Sequence, residues 1–350
     1  MYKRQFHKYE RAAHAVAGGA DVVLELPVPF AVSAAEYFAR GAVHILASLP
    51  CVGELAFGCE SGTKEDFLRT ARATLDESKQ FKAALRENMK DGTSYVRARN
   101  AALLAAGADV DEALLTSPNN ILGTEYCRAI LQAGAAIQPL PIPRVGGGYA
   151  DTALFKDFSS ATALRGAIAD GSRKAKKALK SNLPEHVYRA ALRATPVPYE
   201  KAALAALVAA EEQAVARCPD CAEGLENRLK SMARSTPDYA EMLRKIVSKR
   251  YTLSRLRRIL AQNFLGVTRE TVTEYAQSPL YYKVLAVKSS ASEEILRDLS
   301  GGAYPVIARK SDYSKLAKAA LDCFRTDVRA NDLYNVLTGV ATNEYETLFV

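Results

Sequence analysis

Apolar residues recur along this chain in two periods, and the switches between them mark out its elements. The run Ala20-Asp-Val-Val-Leu-Glu-Leu-Pro27 is short, rich in β-branched residues and stopped by proline, which predicts a buried strand. Val52-Gly-Glu-Leu-Ala-Phe-Gly-Cys59 predicts a second strand, closed by a turn at Gly58, Glu60, Ser61 and Gly62, and Ala136 to Ile142 predicts a third. Around them the spacing is helical: over about 5–18, over 33–48 with Ser33 as cap, over 64–75, 79–90 and 94–106, from Pro118 to about 133, and over 160–169. Strand alternating with helix predicts an α/β fold, a Rossmann-like parallel sheet with ligand loops at the strand ends.

From about residue 172 the pattern changes. No convincing strand is visible up to about 280, and Ala, Leu, Lys and Arg fall at helical spacing in 199–217, 223–234, 237–248 and 252–263. Pro196-Val-Pro198 is a punctuation point; Ala303 to Arg309 reads as a short strand or an extended link, and helices resume over 313–323 and 328–339. Two domains are expected: α/β over 1–171 and mainly helical over 172–350.

Composition narrows the class. The chain has 350 residues, 49% of them hydrophobic, enough for a substantial core. No apolar run reaches the length of a membrane span, and the basic opening has no apolar stretch behind it that would make a secretory signal. Six scattered cysteines do not form a disulfide framework, which points to a reducing cytoplasm. Cys218-Pro-Asp-Cys221 lacks the second pair that a structural zinc site needs, so a surface loop pair is expected and no metal site is assigned.

The net charge of +8 suits a polyanionic partner, and its distribution sharpens this. Residues 165–193 carry Arg165, Arg173, Lys174, Lys176, Lys177, Lys180, Arg189 and Arg193 against only Asp170 and Glu185. Residues 244–258 carry Arg244, Lys245, Lys249, Arg250, Arg255, Arg257 and Arg258, with Tyr251 among them and no acid. Two separated clusters suit a long anion such as RNA; either alone is equally a solvated helix face.

Candidate chemistry sits at the strand ends. Ser159-Ser-Ala-Thr-Ala-Leu-Arg165 puts hydroxyls at a helix start and an arginine about one turn on. Free N–H groups, the helix dipole and a guanidinium fork all favour phosphate there, although serine at a helix start is also an ordinary cap. Gly58 lets a nucleotide approach the backbone. Asn119 and Asn120 offer amides for a base or ribose, or a pair of caps. Arg144 and Val145, before Gly146 to Gly148, follow the third strand. His14 and His44 fall within helical segments, and neither a Ser-His-Asp arrangement nor a Walker-type loop is visible. That suits adenylyl transfer, in which positioning and charge stabilisation do the work.

Taken in order, several segments resemble one family. They are Lys8-Tyr-Glu-Arg-Ala12, Gly19 to Pro27, Ser33 to Glu36 with Phe38 to Ala42, Phe57 to Gly62, Ser117 to Gly123, Arg144 with Gly148-Tyr149, Ser159 to Arg165, Glu223 to Arg228, and Lys249 to Thr252 with Ser254 to Leu256. The set resembles the bacterial tRNA(Met) cytidine acetate ligase family of the nucleotidyltransferase superfamily, over nearly the whole chain. The resemblance implies that ATP and acetate give acetyl-adenylate and pyrophosphate, and that acetyl then passes to N4 of the wobble cytidine of elongator tRNA(Met). It implies ATP contacts from Gly58, Asn119, Asn120, Arg144 and Val145, and catalytic roles for Ser160, Thr162 and Arg165. Mg2+ accompanies ATP. Lys174, Lys177, Arg250, Arg255, Arg257 and Arg258 would hold tRNA, with no membrane and no protein partner.

One departure is plain. The family opens with a strand and an Asn-Pro-Phe-His-x-Gly-His loop that cradles the phosphates, and His-x-Gly-His occurs nowhere in this sequence. The expectation is a misplaced start or a fragment, with an exposed sheet edge and poor ATP binding. Two other readings stay open: a different adenylate-forming nucleotidyltransferase, and a non-catalytic RNA-binding derivative.

Overall fold

The computed structural model describes residues 6–75, 78–89, 95–107, 109–146 and 151–350, with the side chains of residues 95 and 96 left aside. It is mixed α/β, mostly helical, with two small sheets.

The smaller sheet pairs β2 (Glu54–Cys59) with β3 (Gln138–Pro143), parallel and in register from Glu54 opposite Gln138 to Cys59 opposite Pro143; β1 is the earlier strand Val22–Leu24. The sequence of β3, Gln-Pro-Leu-Pro-Ile-Pro, explains its place. Proline has no N–H, so alternate prolines leave one side of the strand without donors and confine it to an edge. The N–H groups on the other side serve β2, and the ladder continues past both ends, from Gln138 to the Gly53 carbonyl (2.8 Å) and from Arg144 to that of Cys59 (2.9 Å).

The larger sheet corrects the expected topology. β1 runs antiparallel to β4 (Tyr282–Val287), with a register shift between Val23 and Leu24. β4 also takes β5 (Val306–Ile307) and β6 (Leu348–Phe349), both parallel. A single parallel sheet of the three expected strands therefore does not form. β1 pairs instead with an apolar strand from the far end of the sequence, every residue of which is buried. This sheet spans the 171/172 division, and the second half carries three strands beside its helices.

Helices follow the periodicity closely where it is strong. Lys64–Leu75, Lys79–Met89, Pro118–Ala133, Ala161–Asp170 and Leu253–Leu265 stand within two residues of the expected limits. The 199–217 run splits into Tyr199–Ala209 and Glu212–Ala216. The two late helices fuse into Lys318–Thr338. Ser33 does not cap its helix: Ala34 is the N-cap of Ala35–Leu46, and the Ser33 hydroxyl donates to the Pro29 carbonyl at 2.7 Å.

Two main cores result. One gathers Phe30, Ile45, Tyr281, Tyr282 and Phe324 around β4; the other lies among the helices between 199 and 265. Cys218 and Cys221 belong to the second core and are buried, so they are not a surface pair. Burial pushes both thiols up to about 12, which keeps them protonated at neutral pH.

Candidate functional site

The end of β2 and the start of the Pro118–Ala133 helix are clasped together by two residues. The Glu60 carboxylate accepts from the Asn119 backbone N–H (3.2 Å), the Asn119 side-chain amide (2.7 Å) and the Asn120 backbone N–H (2.9 Å). The anion at this helix start is thus the chain's own. Asn120 returns the clasp. Its Oδ1 accepts from Glu60 N–H (2.8 Å) and Ser61 N–H (3.4 Å), and its Nδ2 donates to Ser61 Oγ (3.1 Å) and the Ala113 carbonyl (3.2 Å). Asn120 is fully buried with its amide committed, so it shapes the loop, while Asn119 stays partly exposed beside Glu60. Gly58 lies open next door. A Cβ there would meet the Arg144 side chain only at 3.8 Å, so the bare backbone and Arg144 line the same strand end.

The end of β3 meets the segment before the Ala161–Asp170 helix at one tight point. Gly146 has φ +93°, and a Cβ on it would lie 2.4 Å from the Phe158 carbonyl oxygen. Only glycine fits that approach. Gly147, Gly148 and Tyr149 lie outside the described residues. Two residues before the contact is Arg144, with exposed Val145 between; two residues after it is Ser160.

Ser160 is a true N-cap. Its Oγ accepts from Ala163 N–H (3.0 Å) and donates to the Asp151 carbonyl (2.5 Å), and the side chain is buried. The hydroxyl is spent on fixing the turn. Thr162 and Arg165 are partly exposed on the first turn, where an Arg165 guanidinium N–H donates to Thr162 Oγ1 at 3.2 Å. A second staple holds the preceding loop. Ser159 N–H donates to Asn182 Oδ1 (2.8 Å), and Asn182 Nδ2 donates to the Phe155 carbonyl (3.1 Å). Asn182 ends the basic helix Arg173–Asn182, so that helix is fastened to the candidate phosphate site.

The two basic clusters differ in what they leave available. Lys174 and Lys177, with Arg173, Lys176 and Lys180, are exposed, and none of the five is in an ion pair among the described residues. The later cluster is largely tied down. Arg250 pairs with Glu223 (2.6 Å), Arg258 with Asp220 (2.7 Å), and Arg255 donates to the Asp220 carbonyl (2.9 Å). The guanidiniums of Arg228, Arg250 and Arg255 stand 5.8, 5.8 and 5.6 Å from the Tyr251 ring centre, within cation–π range. Arg257 is partly buried. Gln262 donates both to Asp220 Oδ2 (2.5 Å) and to the Val32 carbonyl (3.0 Å), linking this cluster to the segment after β1.

The partners of Glu60, Asn182, Asp220 and Gln262 could not be read from spacing, since each lies more than twenty residues away. Neither could a buried ionic group at the sheet. Lys8 Nζ contacts Glu25 (2.7 Å) and Glu344 (2.6 Å). Burial pushes Glu344 up to about 9 and, nearby, Asp327 up to about 7. Asp327 accepts from Val28 N–H (2.7 Å) and the Tyr281 hydroxyl (2.5 Å).

Comparison with known proteins bears on this arrangement. A family model described as HIGH Nucleotidyl Transferase matches residues 5–347. The tRNA(Met) cytidine acetate ligase of Caldanaerobacter subterraneus subsp. tengcongensis is 33% identical over 339 residues, which cover 94% of this chain and 82% of that protein. The Clostridium novyi protein of the same name is 31% identical over 348 residues, covering 94% and 83%. The apo crystal structure (form I) of Thermotoga maritima TmcAL has a TM-score of 0.89 at 29% identity, over 98% of this chain and 88% of that one. The form II crystal of that protein, bound with alpha-thio ATP, has a TM-score of 0.85 at 28% identity over the same shares.

Proposed function

The chain belongs to the tRNA(Met) cytidine acetate ligase family of HIGH nucleotidyltransferases, and from that premise we propose that its reaction is the activation of acetate with ATP and the acetylation of N4 of the wobble cytidine of elongator tRNA(Met), with ATP binding weakened because this sequence contains no His-x-Gly-His. An acetate oxygen attacks the α-phosphorus and pyrophosphate leaves. The cytidine amine then attacks the acyl carbon of acetyl-adenylate, AMP leaves, and the amine loses a proton. Mg2+ arrives with the nucleotide.

Within this reading residues 1–171 handle the nucleotide and residues 172–350 the RNA. Gly58, Asn119 and Val145 border the nucleoside, and Asn120 positions the loop they share. Arg144, Thr162 and Arg165 meet the phosphates, where charge develops as pyrophosphate departs. Ser160 holds the turn that presents them. Lys174 and Lys177 take RNA phosphates first, with Arg250, Arg255, Arg257 and Arg258 at the second cluster. The observation that carries the reading is the Gly146–Phe158 contact, which joins the strand end bearing Arg144 to the helix start bearing Thr162 and Arg165.

The test supplies labelled acetate, ATP, Mg2+ and a tRNA(Met) transcript. Label should appear in the wobble cytidine and nowhere else in the RNA. Adenylate formed without transfer to RNA would favour a small-molecule nucleotidyltransferase instead. RNA bound with neither product would mark a binding protein.

A further inference from the structure

The loop before the Ala161–Asp170 helix carries aromatic surface that no packing explains. Phe155 is 44% exposed and Phe158 is 68% exposed. Phe158 also sits at φ +54°, one of two non-glycine residues with positive φ among those described. Such a conformation is costly for a bulky side chain and persists only where its surroundings over-determine it. They do here. Phe155 N–H donates to Ser159 Oγ (2.9 Å), Ser159 Oγ donates back to the Phe155 carbonyl (3.2 Å), and Asn182 grips the same turn. Hydrogen bonds on either side of Phe158 thus hold the turn that presents its ring to solvent.

That turn has chemistry on both sides. Next in sequence stand Ser160, Thr162 and Arg165, the helix start assigned above to phosphate. Across the Asn182 staple runs the exposed row Arg173, Lys174, Lys176, Lys177 and Lys180. An exposed ring on a turn stapled to a row of cations suits an unpaired base, with stacking for the base and cations for its flanking phosphates. A cation row longer than one nucleotide favours an RNA base over the adenine of ATP.

We propose that Phe158, flanked by Phe155, is the stacking platform for the unpaired cytosine that accepts the acyl group. This rests on the RNA reading given above. It adds a base-positioning residue beside the adenylate.

The test uses an anticodon stem-loop RNA with pyrrolocytidine at the wobble position and a dye at its end. Anisotropy reads binding and pyrrolocytidine fluorescence reads stacking; ATP affinity is titrated separately. The unaltered protein should quench pyrrolocytidine. Phe158→Leu should remove the quench and weaken RNA binding roughly 5- to 150-fold, the range of one base–aromatic stack. Phe158→Trp should restore both. Phe158→Gly relieves the positive φ, so it should unfold no earlier than the unaltered protein while still losing the quench. Full RNA affinity and full quench in Phe158→Leu would overturn the platform and leave the RNA reading standing. Loss of ATP affinity with RNA affinity retained would assign the ring to adenine and overturn it as well. Failure of the unaltered protein to bind this RNA would overturn both.

Discussion

Asn119 and Asn120 look equivalent in the sequence, and burial alone separates them. Which one reaches solvent depends on Glu60, a residue no local pattern connects to them. Asn120→Ala should therefore act on stability before chemistry. It removes the partner of the Glu60 N–H and of the Ala113 carbonyl, two part-buried hydrogen bonds worth about 1 kcal/mol each. A lower urea midpoint would show it, and an unchanged midpoint would mean that water replaces the amide. Arg165→Ala belongs to chemistry. Adenylate formation should fall about 10²- to 10³-fold, the usual loss for one charge-stabilising donor. RNA affinity should stay near that of the unaltered protein, and lysine should rescue poorly because it lacks the planar fork. An equal fall in RNA affinity would remove Arg165 from its assigned role.

Elements with a strong helical period were legible, and those whose identity depends on distant partners were not. Lys64–Leu75 and Pro118–Ala133 show apolar stripes and end signals that local physics fixes. β4 shows the opposite case. Its run Tyr-Lys-Val-Leu-Ala-Val has no alternation, because both faces are buried, and its second residue is a lysine. Lys283 is tolerated there because its ammonium donates to the carbonyls of Val284 (2.8 Å) and Glu346 (2.7 Å). The helix Lys318–Thr338 is anchored to this region by Asp327, and that anchor titrates. Burial raises the Asp327 carboxyl from 3.8 to about 7, so the folded state favours its protonated form. Its contribution is complete below about pH 4 and declines as pH rises towards 7. Asp327→Asn should flatten the fall of stability between about pH 5 and pH 7 in urea titrations. A residual slope from Glu344, which burial raises in the same direction, should remain. An unchanged slope would mean that Asp327 is already ionised at pH 5.

For the whole molecule, charge counted along the sequence overstated one surface. Both basic clusters were plain to read, but the Arg173–Asn182 helix presents all its cations without acidic partners among the described residues, whereas Lys245, Arg250 and Arg258 of the later cluster are in ion pairs. Replacing Lys174 and Lys177 by alanine should lower the slope of log affinity against log salt by roughly 1.4–1.8, as expected for two lost phosphate contacts. Arg258→Ala should instead lower the melting temperature, since it leaves the nearly buried Asp220 carboxylate without its guanidinium. If the salt slope responded to Arg258 and not to the lysines, the order of the two surfaces would be reversed. The pairing of β1 with β4 has a further consequence, one of timing. About 260 residues separate the two strands. A ribosome adding roughly 5–20 residues per second would release β1 some 13–50 s before its partner exists. The nascent chain must carry that apolar strand uncovered through most of its own synthesis.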